Sequence, residues 1–193
     1  MKKKQILIGV CGSFCNHARV LEEFKKLTED YDLHFVISEQ VASTSTRFFE
    51  KSSFHQLLQS LSNTEIIKTI CDSEPIGPCN IYDLMMIAPA TATTIGKLAN
   101  GIYDSSVTLA VKAMQRNSKP ILIGLSSNDF IGITGANLLN YSRGKNIFLL
   151  PMYQDDIRQK PLSMTSCFEL MKEGIEAALE GRQLQPIFRE KKQ

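Results

Sequence analysis

An apolar run from Leu84 to Ala88 stops at Pro89, gives way to Ala90-Thr91-Ala92-Thr93-Thr94, and leads into a helix-forming segment that starts near Thr93 or Thr94. That order leaves few choices: a buried strand, a tight turn, and a helix whose first turn is lined with hydroxyls. Free backbone N–H groups and the helix dipole favour an anion at such a place, and small residues allow close approach. The segment from Met86 to Ser106 is therefore the first place to look for a binding site.

The same unit recurs along the chain. Gln5 to Cys11 is a near-continuous apolar run, as expected of a parallel strand buried on both faces. Gly12-Ser13 ends it, and Val20, Leu21, Phe24 and Leu27 follow at helical spacing. Leu33 to Ile37 reads as the next strand, ending at Ser38; Thr44 to Glu50 reads as a polar loop. Phe54, Leu57, Leu58 and Leu61 make a short amphipathic helix, and a further helix is expected from about Glu65 to Cys71. Pro75, Gly77 and Pro78 predict an irregular stretch from Ser73 to Asn80. Tyr82 to Ala88 is the third strong strand, with Asp83 read as a solvated start residue. Helices are expected over Thr93–Asn100 and about Ser105–Asn117, then a strand from Ile121 to Leu125 after Lys119-Pro120. A helix over Asn137–Arg143 and a last short strand over Asn146–Leu150 precede a C-terminal helix of roughly Met164 to Glu180, stopped by Gly181.

This alternation, with no internal repeat, predicts one α/β domain over residues 1–193, its parallel sheet covered on both faces. Ligands in such sheets sit at the carboxyl ends of strands. Four ends carry small or hydroxylated residues: Cys11-Gly12-Ser13, Ser38, Pro89–Thr94 and Ser126–Asp129.

Charge and cysteine content narrow the function. Setting aside Lys2, Lys3, Lys4, Arg189, Lys191 and Lys192 together with Glu190 takes the net charge from +2 to −3. The basic tails (about 1–4 and 189–193) read as solvated, frayed ends, the body is not basic, and nucleic-acid binding has no support. The apolar start is too short for a signal peptide and no run approaches the roughly 20 residues of a membrane span. Five cysteines without a CxxC pair, and three scattered histidines, predict a reduced, cytosolic chain without a metal site. Cys11 reads as a small packed hydrophobe at a strand end.

Read residue by residue, Gly9-Val10-Cys11-Gly12-Ser13 fits either a capped strand-to-helix turn or a phosphate contact through Ser13. Ser38 suits a cap or a ligand, Lys97 a helix surface or a site, and Asp104 a helix cap. Arg47, a single arginine in the polar loop, suits bidentate contact with a carboxylate. No Ser/His/Asp, Cys/His or paired-carboxylate arrangement is readable, so demanding chemistry is expected from a cofactor.

The run from Pro89 to Ser105 resembles the signature of the flavoprotein superfamily that includes the homo-oligomeric flavin-containing cysteine decarboxylases, Pro-Ala-x-Ala-Asn-Thr followed by Lys-Ile-Ala-x-Gly-x-Ala-Asp. The resemblance implies a single three-layer, doubly wound, mostly parallel Rossmann-like domain that binds FMN. It places Gly12, Ser13 and Ser38 at the phosphate and Pro89, Ala90, Thr91, Ala92, Thr93 and Thr94 against the ring system, with Lys97 and Ser126 nearby. Pro75 stands where the decarboxylases carry a His, Thr93 replaces the Asn of the Pro89 loop, and Leu125-Ser126-Ser127-Asn128 keeps only the Asn of a Pro-Ala-Met-Asn motif. These departures argue against cysteine decarboxylation.

Gly12-Ser13-Phe14-Cys15, Ser43–Phe48, Asp72–Pro78, Ser127-Asn128-Asp129, Ala136-Asn137-Leu138, Lys145-Asn146-Ile147 and Gly181–Pro186 resemble the family of dipicolinate synthase B subunits of spore-forming bacteria. That resemblance implies a cytoplasmic, FMN-type oxidoreductase subunit active in sporulation. Its partners would be an A subunit that brings NADP and copies of itself in a trimer or larger oligomer, with no nucleic acid and no membrane. Its small-molecule substrate would be a dihydro- or hydroxytetrahydro-dipicolinate of the lysine pathway. Arg47 is then the candidate for a substrate carboxylate and Asn128 for orienting the ring. Another flavin enzyme of the superfamily, a decarboxylase or a flavin prenyltransferase, and a non-catalytic flavin-binding scaffold remain as alternatives.

Overall fold

The strand runs that read as buried on both faces form the middle of one sheet. In the computed structural model, which describes residues 2–190, the chain order is β1 (Lys4–Val10), α1 (His17–Leu27), β2 (Tyr31–Ile37), α2 (Glu39–Ser43), α3 (Lys51–Ser60), α4 (Ile70–Ser73), α5 (Ile76–Cys79), β3 (Leu84–Ala90), α6 (Ala92–Ala99), α7 (Ser106–Arg116), β4 (Ile121–Ser127), α8 (Gly135–Tyr141), β5 (Ile147–Leu149), β6 (Met152–Asp156), β7 (Lys160–Ser166) and α9 (Met171–Leu179). The strands lie in the order β2-β1-β3-β4-β7-β6. β2, β1, β3 and β4 are parallel; β5 adds a parallel edge beside the first half of β4.

Alternation within each strand serves two apolar layers. Ile6, Ile8 and Val10 of β1 join Phe24, Phe35, Phe54 and Phe168 on one face. Leu7 and Cys11 join Met85, Ile87, Val107 and Met114 on the other. α9 approaches the first layer closely: a Cβ on Gly174 would stand 2.8 Å from Leu150 Cδ1, so glycine lets this helix sit down on the sheet.

Several expectations change. The C-terminal helix does not begin at Met164. Residues 152–166 form an antiparallel hairpin, and the helix proper starts at Met171 after a 3-10 turn, Phe168–Leu170. Met164, Phe168, Met171 and Ile175 mimic a helical stripe, whereas Ser163, Thr165 and Ser166 belong to a strand whose polar side chains are buried. The strand over Asn146–Leu150 is thus not the last. The helix expected over Glu65–Cys71 is an extended edge: Ile67 N–H donates to the Phe35 carbonyl and the Ile37 N–H to the Ile67 carbonyl, both at 2.9 Å. The open edge of β2 captures this segment, leaving only Ile70–Ser73 as helix, opened by a Thr69–Asp72 capping box. The stretch from Ser73 to Asn80 is less irregular than its prolines suggest, because Pro75 sits just ahead of α5, where a missing N–H does no harm.

The ends are not frayed where described. Lys4 opens β1 and pairs with Asp83 at 3.2 Å; Asp83 also accepts the Gln5 N–H at 2.8 Å, so it is a strand-joining acceptor rather than a solvated start. Arg189 N–H donates to the Met152 carbonyl at 2.9 Å, docking the tail on β6. Lys191 and Lys192 of the basic C-terminal stretch lie outside the described residues. Among the described residues no helix is long and apolar enough to cross a membrane.

Candidate functional site

The four strand ends meet at one cavity of about 890 Å³. Gly12 and Ser13 after β1, Ser38 after β2, Thr91 to Thr94 after β3, and Ser126 and Asn128 at the end of β4 all line it, as do Arg47 and Lys97. Pro89 and Ala90 do not. Ala90 is fully buried in the second apolar layer, and the Pro89 carbonyl accepts the Cys11 N–H at 3.2 Å. They hold the wall from behind because β3 continues through Ala90 before the chain turns.

Local hydrogen bonding explains which hydroxyls remain available. α6 starts at Ala92, earlier than the expected Thr93 or Thr94, because Thr91 caps it: its Oγ1 accepts the Thr94 N–H at 3.4 Å. The Thr94 hydroxyl turns inward and donates to Cys11 Sγ at 3.2 Å. Burial pushes the Cys11 thiol up to about 11, which keeps it a neutral, inert packing group. Thr93 stays exposed on the cavity side. Ser38 N–H donates to the Val10 carbonyl at 3.0 Å, while its Oγ caps the single turn of α2 at 3.5 Å from the Val41 N–H.

The charged members are arranged unevenly. Lys97 is held by Asp104 at 2.7 Å, an exposed pair, and this bond, not helix capping, is the role of Asp104; Ser105 caps α7. Glu39 accepts the Ser106 N–H at 3.2 Å, placing its charge at the start of α7, where the helix dipole favours it. Arg47 stands at the tip of an ordered turn in which Thr46 Oγ1 accepts the Phe48 N–H, and its guanidinium lies 4.9 Å over the Phe48 ring. His17 takes no part in the lining. It is buried, stacked on Phe54 at 4.4 Å, with Nε2–H donating to the Cys11 carbonyl at 2.9 Å, and burial lowers its pKa.

Sequence reading missed one side of the cavity. The hairpin contributes Asp155, Lys160, Ser163, Met164 and Thr165, because β7 pairs with β4 at Ser126–Thr165 and Ser127–Met164. Alternating Ser163 and Thr165 was the available signal, masked by the helical spacing of the neighbouring apolar residues. Thr165 is 5% exposed and its Oγ1 has no hydrogen-bond partner among the described residues. Asn16 was also missed; it donates from Nδ2 to both Ser13 Oγ and Ser126 Oγ.

Comparisons with known proteins bear on the family and the fold. The family model described as Flavoprotein matches residues 1–173. The dipicolinate synthase B chain of Bacillus subtilis (strain 168) is 40% identical over 188 residues, covering 97% of this chain and 94% of that protein. The crystal structure of the corresponding dipicolinate synthase B chain from Bacillus halodurans C superposes with a TM-score of 0.90 at 35% identity, covering 99% of this chain and 98% of that one. Burkholderia xenovorans DmrB in complex with FMN, a cubic protein cage for redox transfer, shares the fold at a TM-score of 0.64 and 15% identity, over 92% of this chain and 96% of that one.

Proposed function

From a chain that belongs to the Flavoprotein family, we propose a B subunit of dipicolinate synthase that binds FMN in the strand-end cavity. It acts there, with an A subunit that brings NADP, on a dihydropyridine dicarboxylate or its hydroxytetrahydro precursor. What carries the reading is the cavity itself. Its volume of about 890 Å³ suits a cofactor with a small substrate, within the roughly 300–1,000 Å³ of such sites.

The donor chemistry fits the group. Gly12, Ser13 and Ser38 offer small residues and hydroxyls for a phosphate. Thr91, Ala92, Thr93 and Ser126 offer a shallow polar wall for a planar heterocycle, with Thr94 behind them and Lys97 at the rim. Ser163 and Thr165 add hydroxyls to the wall on the hairpin side. An oxidised flavin, when bound, supplies the two-electron acceptor for removing hydrogen from the dihydro ring.

The protein's own part is positioning. The Arg47 guanidinium forks onto one substrate carboxylate, and the Asn128 amide orients the ring edge. Dehydrogenation releases a hydride and a proton, and aromatisation of the ring makes that proton acidic enough for water at the open mouth to take it. No strong base is needed. Among the described residues no histidine lines the cavity, and Pro75, in the place of the decarboxylase His, lies outside it, which supports dehydrogenation over decarboxylation.

The test is an absorption spectrum of the purified protein, followed by anaerobic addition of the dihydro substrate to the two-subunit complex. A yellow protein whose flavin bleaches supports the reading; a bound flavin that stays oxidised with both subunits present overturns it.

A further inference from the structure

The β6–β7 hairpin carries chemistry that the strand ends do not. β7 meets β4 only at its carboxyl end, so the hairpin stands over the place where ligands of a parallel sheet collect. Ser163 and Thr165, two apart and on one face, are 3% and 5% exposed, and both line the cavity. The face that β7 turns to the cavity is therefore polar, with the Thr165 hydroxyl unpartnered among the described residues. At the start of the same strand Lys160 Nζ reaches Asp155 Oδ2 at 2.9 Å, and both residues line the cavity.

The charges in the cavity sort themselves by their partners. Glu39 is occupied by the start of α7 and Lys97 by Asp104. Arg47 stacks on Phe48 and makes no ion pair among the described residues. Among the described residues Lys160 is ion-paired with Asp155, with Asp156 also near enough to act on its charge; the pair is exposed and contributes little to stability, so exchange of Asp155 for another carboxylate costs little. In strand order Arg47 follows β2 and Lys160 opens β7, at opposite flanks. The two carboxylates of a pyridine-2,6-dicarboxylate diverge from either side of the ring nitrogen, so two separate cations can each take one.

We propose that Lys160 is the second cationic anchor of the dicarboxylate, opposite Arg47, and that a substrate carboxylate takes the place of Asp155 on its ammonium. The assignment rests on the function proposed above. It makes Lys160 a specificity residue: it selects two carboxylates over one, while the hydroxyl-lined ends of β1 to β4 hold the cofactor.

The experiment is calorimetric titration of the full-length, FMN-loaded protein with dipicolinate and with picolinate, which lacks the second carboxylate, in metal-free buffer. Wild type is expected to prefer dipicolinate. Lys160→Gln should weaken dipicolinate about tenfold, leave picolinate unchanged, and bind FMN and riboflavin as wild type does. Lys160→Arg should keep most of the preference, and Asp155→Asn, which removes the competing carboxylate, should tighten dipicolinate. A Lys160→Gln protein that still prefers dipicolinate overturns the assignment while leaving the function intact. One that loses FMN but not riboflavin assigns Lys160 to the cofactor phosphate and equally overturns it. Wild type that binds FMN but neither acid overturns the function, and the anchor with it.

Discussion

Asn16 and Ser126 are 110 positions apart in the chain, yet the Asn16 amide Nδ2 donates to the Ser126 hydroxyl at 2.8 Å and to the Ser13 hydroxyl at 3.1 Å. One side chain thereby joins the ends of β1 and β4 across the intervening β3. Because both hydroxyl oxygens are used as acceptors, their own protons are left to point elsewhere. The nearest open space is the cavity. Asn16→Ala is expected to lower unfolding stability by about 1 kcal/mol and to weaken FMN about tenfold. Urea unfolding and flavin fluorescence titration measure the two effects. Unchanged flavin affinity alongside lost stability would reduce Asn16 to a structural clip.

Ser13 is half-exposed and faces the cavity, so a large side chain there occupies ligand space without entering the core. Ser13→Tyr should yield a folded, colourless protein with a circular dichroism spectrum like that of wild type. Synthase activity retained by the flavin-free complex would instead favour a scaffold that merely stabilises its partner. Ser38 is a poorer site for this test, since it is buried and its N–H is tied to Val10.

Thiol chemistry separates the two cysteines at the end of β1. Cys11 is buried, its thiol pushed up to about 11, whereas Cys15 is exposed on the cavity lining. Iodoacetamide at pH 8 should alkylate Cys15 and spare Cys11, and added FMN should slow the Cys15 reaction. Peptide mass spectrometry reads both. Labelling of Cys11 at a comparable rate would contradict the packing of Thr94 against its sulfur.

Acid should destabilise the fold in two stages. Burial lowers the pKa of His17 and His34 below the unfolded value of 6.5. Between the folded values and 6.5 the unfolded chain binds more protons, so stability falls as pH drops through this window. Below about pH 4 a second loss follows, as Asp72 and Asp104, held down by hydrogen bonds from Thr69 and Lys97, are protonated. Both carboxylates are fully exposed, so this second step is the smaller. Urea midpoints measured from pH 7.5 to 4.5 should fall, and His17→Phe, which keeps the stack on Phe54, should flatten part of the slope. A flat profile in wild type would rule out burial of neutral histidines.

β1, β2, β3 and β4 were legible because a parallel strand covered on both sides must be apolar along its whole length. The cavity was legible for the same reason: polar residues at Ser13, Ser38, Thr91 and Ser126 interrupt those runs where the strands leave the core. The hairpin was not. In β7 the inward residues Ser163 and Thr165 are polar because they face a cavity, which inverts the usual sign of a buried strand. Meanwhile Met164, Phe168 and Met171 happen to fall at helical spacing. Pro89 and Ala90 were misplaced by two residues' worth of strand, since pattern alone does not say where β3 ends.

The hairpin is fastened to β4 by two residue pairs, Ser126–Thr165 and Ser127–Met164. The other walls grow out of strands and helices whose remaining side chains form the interior. An inherited change there is filtered by folding before it is filtered by chemistry. The hairpin meets that filter mainly at its base, where Met152 and Ser166 are fully buried, so its outer part is the segment through which a lineage of such proteins is freest to acquire new reactants. It is equally the segment a protein engineer would transplant between relatives, exchanging residues 154–163 as a cassette while keeping Met152 and Ser166 in the core.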